Sequence, residues 1–214
     1  MNYLEKNPDW LVIDIGSQIG QYSLFAAKFN RKALAVEPFI DNVYRIHKAA
    51  KTASLYKNIV LLQNALSNKR NEVKLLSKHN INVAAQTLLQ YKDKVYERDP
   101  KNKYLVETIL FDDIVPYLPR KDDGTEFTKA LLKIDIEGFE PYAFQHASKL
   151  FDKLDISVIY MEWGNIPIQT DATDIILQMI EFLTQRKFKP FINESHPLDL
   201  NNWRNWPFNV MWLK

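Results

Sequence analysis

This sequence predicts a Rossmann-like, doubly wound α/β sheet, mostly parallel and closed by an antiparallel strand pair at its C-terminal edge. Three observations predict it. Short β-branched apolar runs alternate with helical periodicity between residues 10 and 63. A hydrogen-bonding side chain stands at the carboxyl end of five such runs, namely Asp14, Glu37, Asn64, Asp135 and Glu162. Two glycines, Gly16 and Gly20, flank a tight turn between the first run and the first helix.

Taken in order, Trp10 to Ile13 is a run suited to a buried parallel strand. Ile19, Tyr22, Phe25, Ala26 and Phe29 then suit a helix packed on a sheet. Lys32 to Val36 makes a second strand ending in Glu37-Pro38, and helical periodicity follows from Ile40 to Tyr56. Asn58 to Gln63 is the third strand. This β-α-β-α-β order implies right-handed crossovers and parallel pairing. Glu72 to Leu76 alternates like an edge strand and is matched with a strand over Tyr104 to Leu110. Between them, residues 77–103 form a polar insert expected to hold a short helix and a mobile loop. Asp112-Asp113 offers an N-cap for a short helix through Tyr117. Ala130 to Ile134 is a strand, Pro141 to Phe151 a helix, and Ile156 to Met161 a further strand. Asp174 to Arg186 is an amphipathic helix, and Phe188 to Ile192 with Val210 to Leu213 form the antiparallel edge. No repeat or linker divides the chain, so residues 1–214 read as a single domain.

Bulk composition excludes several functions. A net charge of +2 is too balanced to argue for a nucleic-acid or anionic-membrane partner. The absence of cysteine removes disulfides, thiolate metal sites and cysteine nucleophiles. No apolar run approaches the roughly 20 residues that span a bilayer. The polar start carries no secretory signal, and an anchor removed from a longer protein would leave the same sequence, so the compartment stays open, as does the oligomeric state.

Glu37 is the sharpest single residue. It follows the glycine turn by about twenty positions, where a carboxylate can accept both ribose hydroxyls of an adenosine. The turn reads Gly16-Ser17-Gln18-Ile19-Gly20, which is G-x-x-x-G and not G-x-G-x-x-G. Gln18 occupies the place of the glycine that makes room for pyrophosphate. A cofactor without phosphates, S-adenosylmethionine, therefore fits better than a dinucleotide.

Five blocks together resemble the FkbM family of methyltransferases: Asp14 to Ser23, Val36-Glu37-Pro38, Asn64 to Ser67, Phe111 to Ile114, and Lys133-Ile134-Asp135-Ile136-Glu137-Gly138-Phe139-Glu140. The resemblance runs from Trp10 to about Asn165, and the K-I-D-x-E-G-x-E block is its most specific part. It implies the class I methyltransferase fold, S-adenosylmethionine as donor, and oxygen acceptors on sugars or other natural products. Carried over by position, Asp14, Gly16, Gln18 and Gly20 would hold the methionyl part, with Ser17 and Tyr22 in the same binding set. Glu37 would take the ribose, Asn64 and Ala65 would border the adenine, and Asp135 would lie near the sulfonium and amino group. One departure is Ser17-Gln18 where the family commonly has Ala-Asn, which shifts that contact by a methylene.

A hydroxyl acceptor also has to lose a proton. Candidate bases are Asp135, Glu137 and Glu162 in that order, then His146; Glu140 reads as a helix-N-terminal or solvated charge, and His47 and His79 as surface residues. A competing scheme places Mg²⁺ or Mn²⁺ on Asp135, Glu162 and Asn165. For the acceptor, the insert at 77–103 and the loop at 193–207 are the expected elements. Trp203, Trp206 and Trp163 would stack on a sugar face while Arg204, His196 and Asn165 bond its hydroxyls. Equally, Trp203 and Trp206 could simply cover the sheet edge. The reading reached is an S-adenosylmethionine-dependent O-methyltransferase acting on a sugar, glycan or similar hydroxylated small molecule. The alternatives are an NAD-type oxidoreductase and an inactive cofactor-binding scaffold.

Overall fold

A computed structural model describes residues 2–78, 86–89 and 96–214. A one-turn helix α1 (Asn2–Lys6) precedes β1 (Leu11–Ile15), all five of whose residues are buried. Then follow α2 (Gln21–Lys28), β2 (Ala33–Val36), α3 (Ile40–Thr52) and β3 (Ile59–Leu62). These strands pair in parallel, β1 with β2 and β2 with β3. Helix α3 ends at Thr52, short of the expected Tyr56, because Ser54 takes a left-handed φ of 59° and a short 3₁₀ turn replaces the last helical turn.

The irregular middle makes a separate small sheet. β4 (Ala65–Leu66) lies parallel to β6 (Leu105–Ile109), and β5 (Val73–Leu75) pairs with β6 antiparallel. Within the polar insert, Leu76 and Leu88 form a bridge, while 79–85 and 90–95, which carry most of the expected helix and loop, lie outside the described residues. Phe111 to Tyr117 form a 3₁₀ helix whose start is capped by Asp113, its Oδ2 accepting the Leu110 N–H at 3.0 Å, and not by Asp112. The Asp112 Oδ1 accepts the N–H of Leu150 at 3.0 Å, in the next helical region.

β7 (Lys129–Ile134) joins the main sheet between β1 and β8 (Asp155–Glu162), parallel to both. The single helix expected at Pro141 to Phe151 is two, α4 (Glu140–Phe144) and α5 (Ser148–Lys153). The break has a partner: the His146 carbonyl accepts the N–H of Asp112 at 2.9 Å, while the Asp112 side chain serves α5. After α6 (Thr173–Gln185) come β9 (Lys189–Asn193), the short β10 (His196–Pro197) and β11 (Asn209–Leu213). The eight-stranded order is β10-β9-β11-β8-β7-β1-β2-β3, with the last three strands of the chain antiparallel.

Period-2 alternation sorts the two faces of this sheet. Leu11, Ile13 and Ile15 enter the large core that includes residues of α4, α5 and α6, whereas Val12 packs with Ala26 of α2. On that second face Asp14, Lys133, Tyr160 and Met211 stand in one row across β1, β7, β8 and β11. Among the described residues no helix is long and apolar enough to cross a membrane.

The tryptophans expected to face an acceptor belong to the core. Trp163 is fully buried, and Trp203 and Trp206 are each only 7% exposed. Trp163 and Trp206 pack at 4.6 Å between ring centroids, and Trp206 meets Trp212 edge-on at 5.5 Å. Their indole N–H groups are used internally, Trp163 on the Trp203 carbonyl and Trp206 on that of Asp199. No ring face is left for a sugar. Arg204 spreads its guanidinium over Trp203 and donates to Thr173, and exposed His196, on the outermost strand β10, bonds Asn193. Trp206→Ala is expected to lower unfolding free energy by about 3–5 kcal/mol in urea titration, the range for emptying a buried aromatic site.

Candidate active site

Strand order reverses between β1 and β7, the place where open α/β sheets bind ligands. The chain leaves β1 at Gly16 and β7 at Asp135, and both strand ends are held by backbone bonds, Gly16 N–H to the Val36 carbonyl and Asp135 N–H to that of Ile15. Gly16 has φ +69°, and a Cβ there would stand 1.8 Å from the Asp135 carbonyl oxygen. The glycine therefore answers first to the approach of two strand ends. At Gly20 a Cβ would meet Ile46 of α3 at 2.9 Å.

Asp14 is fully buried, and its Oδ2 accepts both the N–H (3.0 Å) and the hydroxyl (2.5 Å) of Ser23. It ties β1 to the first turn of α2. A cavity of about 220 Å³ opens beyond, lined by Gly16, Ser17, Gln18, Tyr22, Glu37, Asn64, Ala65 and Asp135. Asp14 and Gly20, expected to touch the methionyl group, do not line it: one is spent on Ser23 and the other on helix packing. Ala65, Leu76, Leu88 and Phe139 give the cavity an apolar wall. The described part of the polar insert thus borders this cavity through Gln86 and Leu88, not an acceptor site alone.

Glu37 organises as well as lines. Its Oε2 accepts the Gln18 N–H at 2.8 Å, and Oε1 accepts the Phe39 N–H and the Asn42 amide. Burial pushes its carboxyl above the usual range, while these hydrogen bonds pull it back. Gln18 sits at φ 54°, a left-handed conformation that asparagine adopts more easily, so the glutamine carries strain at the turn.

Past β7, Glu137 (φ 58°) and Gly138 (φ 94°) turn the chain sharply. Glu140, expected as a helix-N-terminal or solvated charge, does open α4 but is fully buried, and its Oε1 accepts the Ile136 N–H at 2.7 Å across that turn. Asp135, Glu137 and Glu162 each bring a carboxylate oxygen within 4.8 Å of the others. Asn165 turns its amide nitrogen towards them, donating to Glu137 at 2.8 Å and to Glu162 at 3.4 Å. A donor is no metal ligand, so the expected set of Asp135, Glu162 and Asn165 is replaced by three carboxylates. Glu162 is pushed up to about 8, by burial first and then by repulsion from Asp135, Glu137 and Glu140. Burial also lifts Glu140 to about 8.

A second cavity, of about 460 Å³, adjoins the first and shares Tyr22, Lys133 and Asp135 with it. It lies over the sheet row of Lys133, Tyr160 and Met211, and Glu162, Asn193, Glu194 and Asn209 complete much of its rim. Of the loop expected to hold the acceptor, only Asn193 and Glu194 reach it; Trp163, Asn165, His196, Trp203, Arg204 and Trp206 do not. His146 lines a different recess among Pro141, Phe144 and Phe182. His47 is exposed on α3, and His79 lies outside the described residues. Lys133, expected only as part of the K-I-D-x-E-G-x-E block and not as a site residue, stands inside the apolar run ALLKI, which is a signal in itself. Its Nζ reaches the Gly16 carbonyl at 2.6 Å and lies 3.7 Å from Asp14 and 3.6 Å from Asp135.

Gly16→Ala is expected to cost at least about 2 kcal/mol in chemical denaturation, since both φ and the Asp135 carbonyl oppose it. Glu140 binds its proton more tightly in the folded state than at the ordinary 4.5. Its contribution is therefore present at low pH and lost as pH rises towards 8. Glu140→Gln should flatten the fall in melting temperature between pH 5 and 9 relative to the parent protein.

The description "Methyltransferase FkbM domain" matches residues 14–190 of the chain. No curated protein matches it. Among solved structures, the O-methyltransferase TomG from Streptomyces achromogenes, crystallised with S-adenosylmethionine, aligns with a TM-score of 0.52 and 10% identity, over 99% of this chain and 76% of TomG. An rRNA methylase from Streptococcus thermophilus aligns at 0.45 and 13% identity, over 96% and 87%. The human methyltransferase 10 domain containing protein aligns at 0.47 and 12%, over 99% and 79%. TomG's likeness bears on the fold, an α/β sheet of class I methyltransferase type. The family match spans most of the chain and includes the ends of β1, β2, β7 and β8, which line the first cavity and part of the second, and so the chain belongs to the FkbM family of methyltransferases.

Proposed function

We propose that the protein transfers a methyl group from S-adenosylmethionine to a hydroxyl of a sugar or similar hydroxylated small molecule. The observation that carries this reading is the pair of adjoining cavities meeting at Asp135. The first suits the donor. Its apolar wall of Ala65, Leu76, Leu88 and Phe139 fits a purine, and Glu37 Oε2, which accepts one hydrogen bond, retains capacity for a ribose hydroxyl. Gly16, Ser17, Gln18 and Tyr22 border the methionyl end, with Asp135 facing its positive charge. That TomG was crystallised with the same donor in the same fold supports the assignment. Family membership and the missing middle glycine favour methyl transfer over an NAD-type reaction.

Methyl transfer from a sulfonium to a hydroxyl forms a C–O bond, breaks a C–S bond and releases one proton. Glu162 is the group we assign to receive it. It lines the second cavity and stands beside Asp135. Its raised affinity for protons makes its ionised form a stronger base than an ordinary carboxylate. Asp135 is paired with Lys133 and shared with the donor cavity, and Glu137 does not line the second cavity, so neither is as well placed to take a proton from an acceptor. Burial and the neighbouring carboxylates keep a proton on Glu162 at neutral pH, which relieves the crowding of charge among the three.

Calorimetry with S-adenosylmethionine, followed by methyl transfer to a panel of glycans in excess chelator, tests the reading; no donor binding would overturn it. Only ionised Glu162 accepts a proton, so kcat/KM should rise with pH and level off above about 8. Glu162→Gln should lower it by about 10²–10⁴-fold and remove that rise.

A further inference from the structure

The second cavity is electrostatically one-sided. Among its described lining residues, Asp135, Glu162 and Glu194 carry carboxyl groups, and the single cation is Lys133. That cation is not turned outward. Its Nζ is bonded to the carbonyls of Gly16 (2.6 Å) and Ile15 (3.3 Å), sits between Asp14 and Asp135, and its side chain is only 10% exposed. An anion entering here would meet carboxylates and no available positive partner. Two phenol rings border the same space, Tyr22, over which the Lys133 ammonium already lies at 5.7 Å, and Tyr160, and ring faces attract alkylammonium groups that carboxylates then hold. Glu194 acts on its surroundings already: after burial and the Tyr3 phenol, it helps to push the Tyr160 phenol up to about 12.

From this arrangement we infer that the acceptor is an amino polyol, carrying a protonated amine close to the hydroxyl that is methylated, with Glu194 and Tyr160 receiving the ammonium. This rests on the proposed reading of the site and names its substrate class. Asp135 is shared with the donor cavity, where a sulfonium and an amino group would occupy it. Glu194, at the rim beside the Tyr3 phenol, is not shared with the donor cavity and is left to recognise the acceptor. Glu162, in the same cavity, remains the base, and an ammonium nearby favours its ionised form.

Three sugars that differ only at carbon 6 test the inference: 6-amino-6-deoxyglucose, glucose and glucuronic acid. Affinity is measured by calorimetry on protein saturated with S-adenosylhomocysteine, at low salt and with chelator present. The amine should bind at least tenfold more tightly than glucose, and glucuronic acid most weakly. Glu194→Lys, a change at an exposed position, should reverse the order of amine and acid. Equal affinity for all three, preference for the acid, or no engagement of any of them would overturn the inference. Failure of S-adenosylhomocysteine itself to bind would instead overturn the donor assignment on which it rests.

Discussion

One buried ammonium holds the site together. Lys133 lies on a strand that is otherwise apolar, at the register position opposite Asp14, and its Nζ caps the carbonyls where β1 ends. Charge is costly inside a protein unless it is paired. Here the pairing is two carbonyls at the end of β1 and two carboxylates, Asp14 on β1 and Asp135 just past the end of β7. The cation thereby fixes the separation of β1 and β7 at the strand-order reversal, and the Gly16 turn and Asp135 hang from those two ends. A lysine that a composition survey would place at the surface is a structural part of the cavity floor.

Around it the carboxylates are crowded. Asp135, Glu137 and Glu162 converge, and Glu140 is buried behind them. Like charges at such range cannot all ionise in a poorly solvated setting, so protons stay on Glu140 and Glu162 far above the ordinary carboxylate range. The backbone is strained in the same places, with Gln18 and Glu137 both left-handed. Strain and raised proton affinity gathered at one reversal of strand order are what a site for charge-moving chemistry requires. The same features would be liabilities in a sheet that only had to fold.

The C-terminal third solves a different problem. β8 would be an edge were it not covered by the antiparallel β11 and β9. The tryptophan-rich loop folds back over the core beside them, with Trp163, Trp206 and Trp212 in mutual contact and their large apolar area withdrawn from water. What remains polar on that side is a short rim, Asn193, Glu194 and Asn209, and this rim borders the second cavity.

Strand identity, parallel order and the strand-end residues of the donor cavity follow from the sequence by itself, because hydrophobic period and glycine chemistry are local properties. Glu37 and Asp135 could be placed at ligand-facing strand ends from such local patterns. The sequence could not tell which polar groups would be consumed by the fold. Asp14 is spent on Ser23, Asp112 on α5 and the tryptophans on each other, and each of these partners lies far along the chain or on another element. Lys133 and Glu140 went the other way, drawn inside by partners on neighbouring strands and turns. Only tertiary structure decides such matters, since burial and hydrogen-bond satisfaction are settled between segments and not within them. The wall of the second cavity is the clearest case: residues of β7, β8, β9 and β11 become one acidic surface only when the antiparallel edge closes beside the parallel sheet.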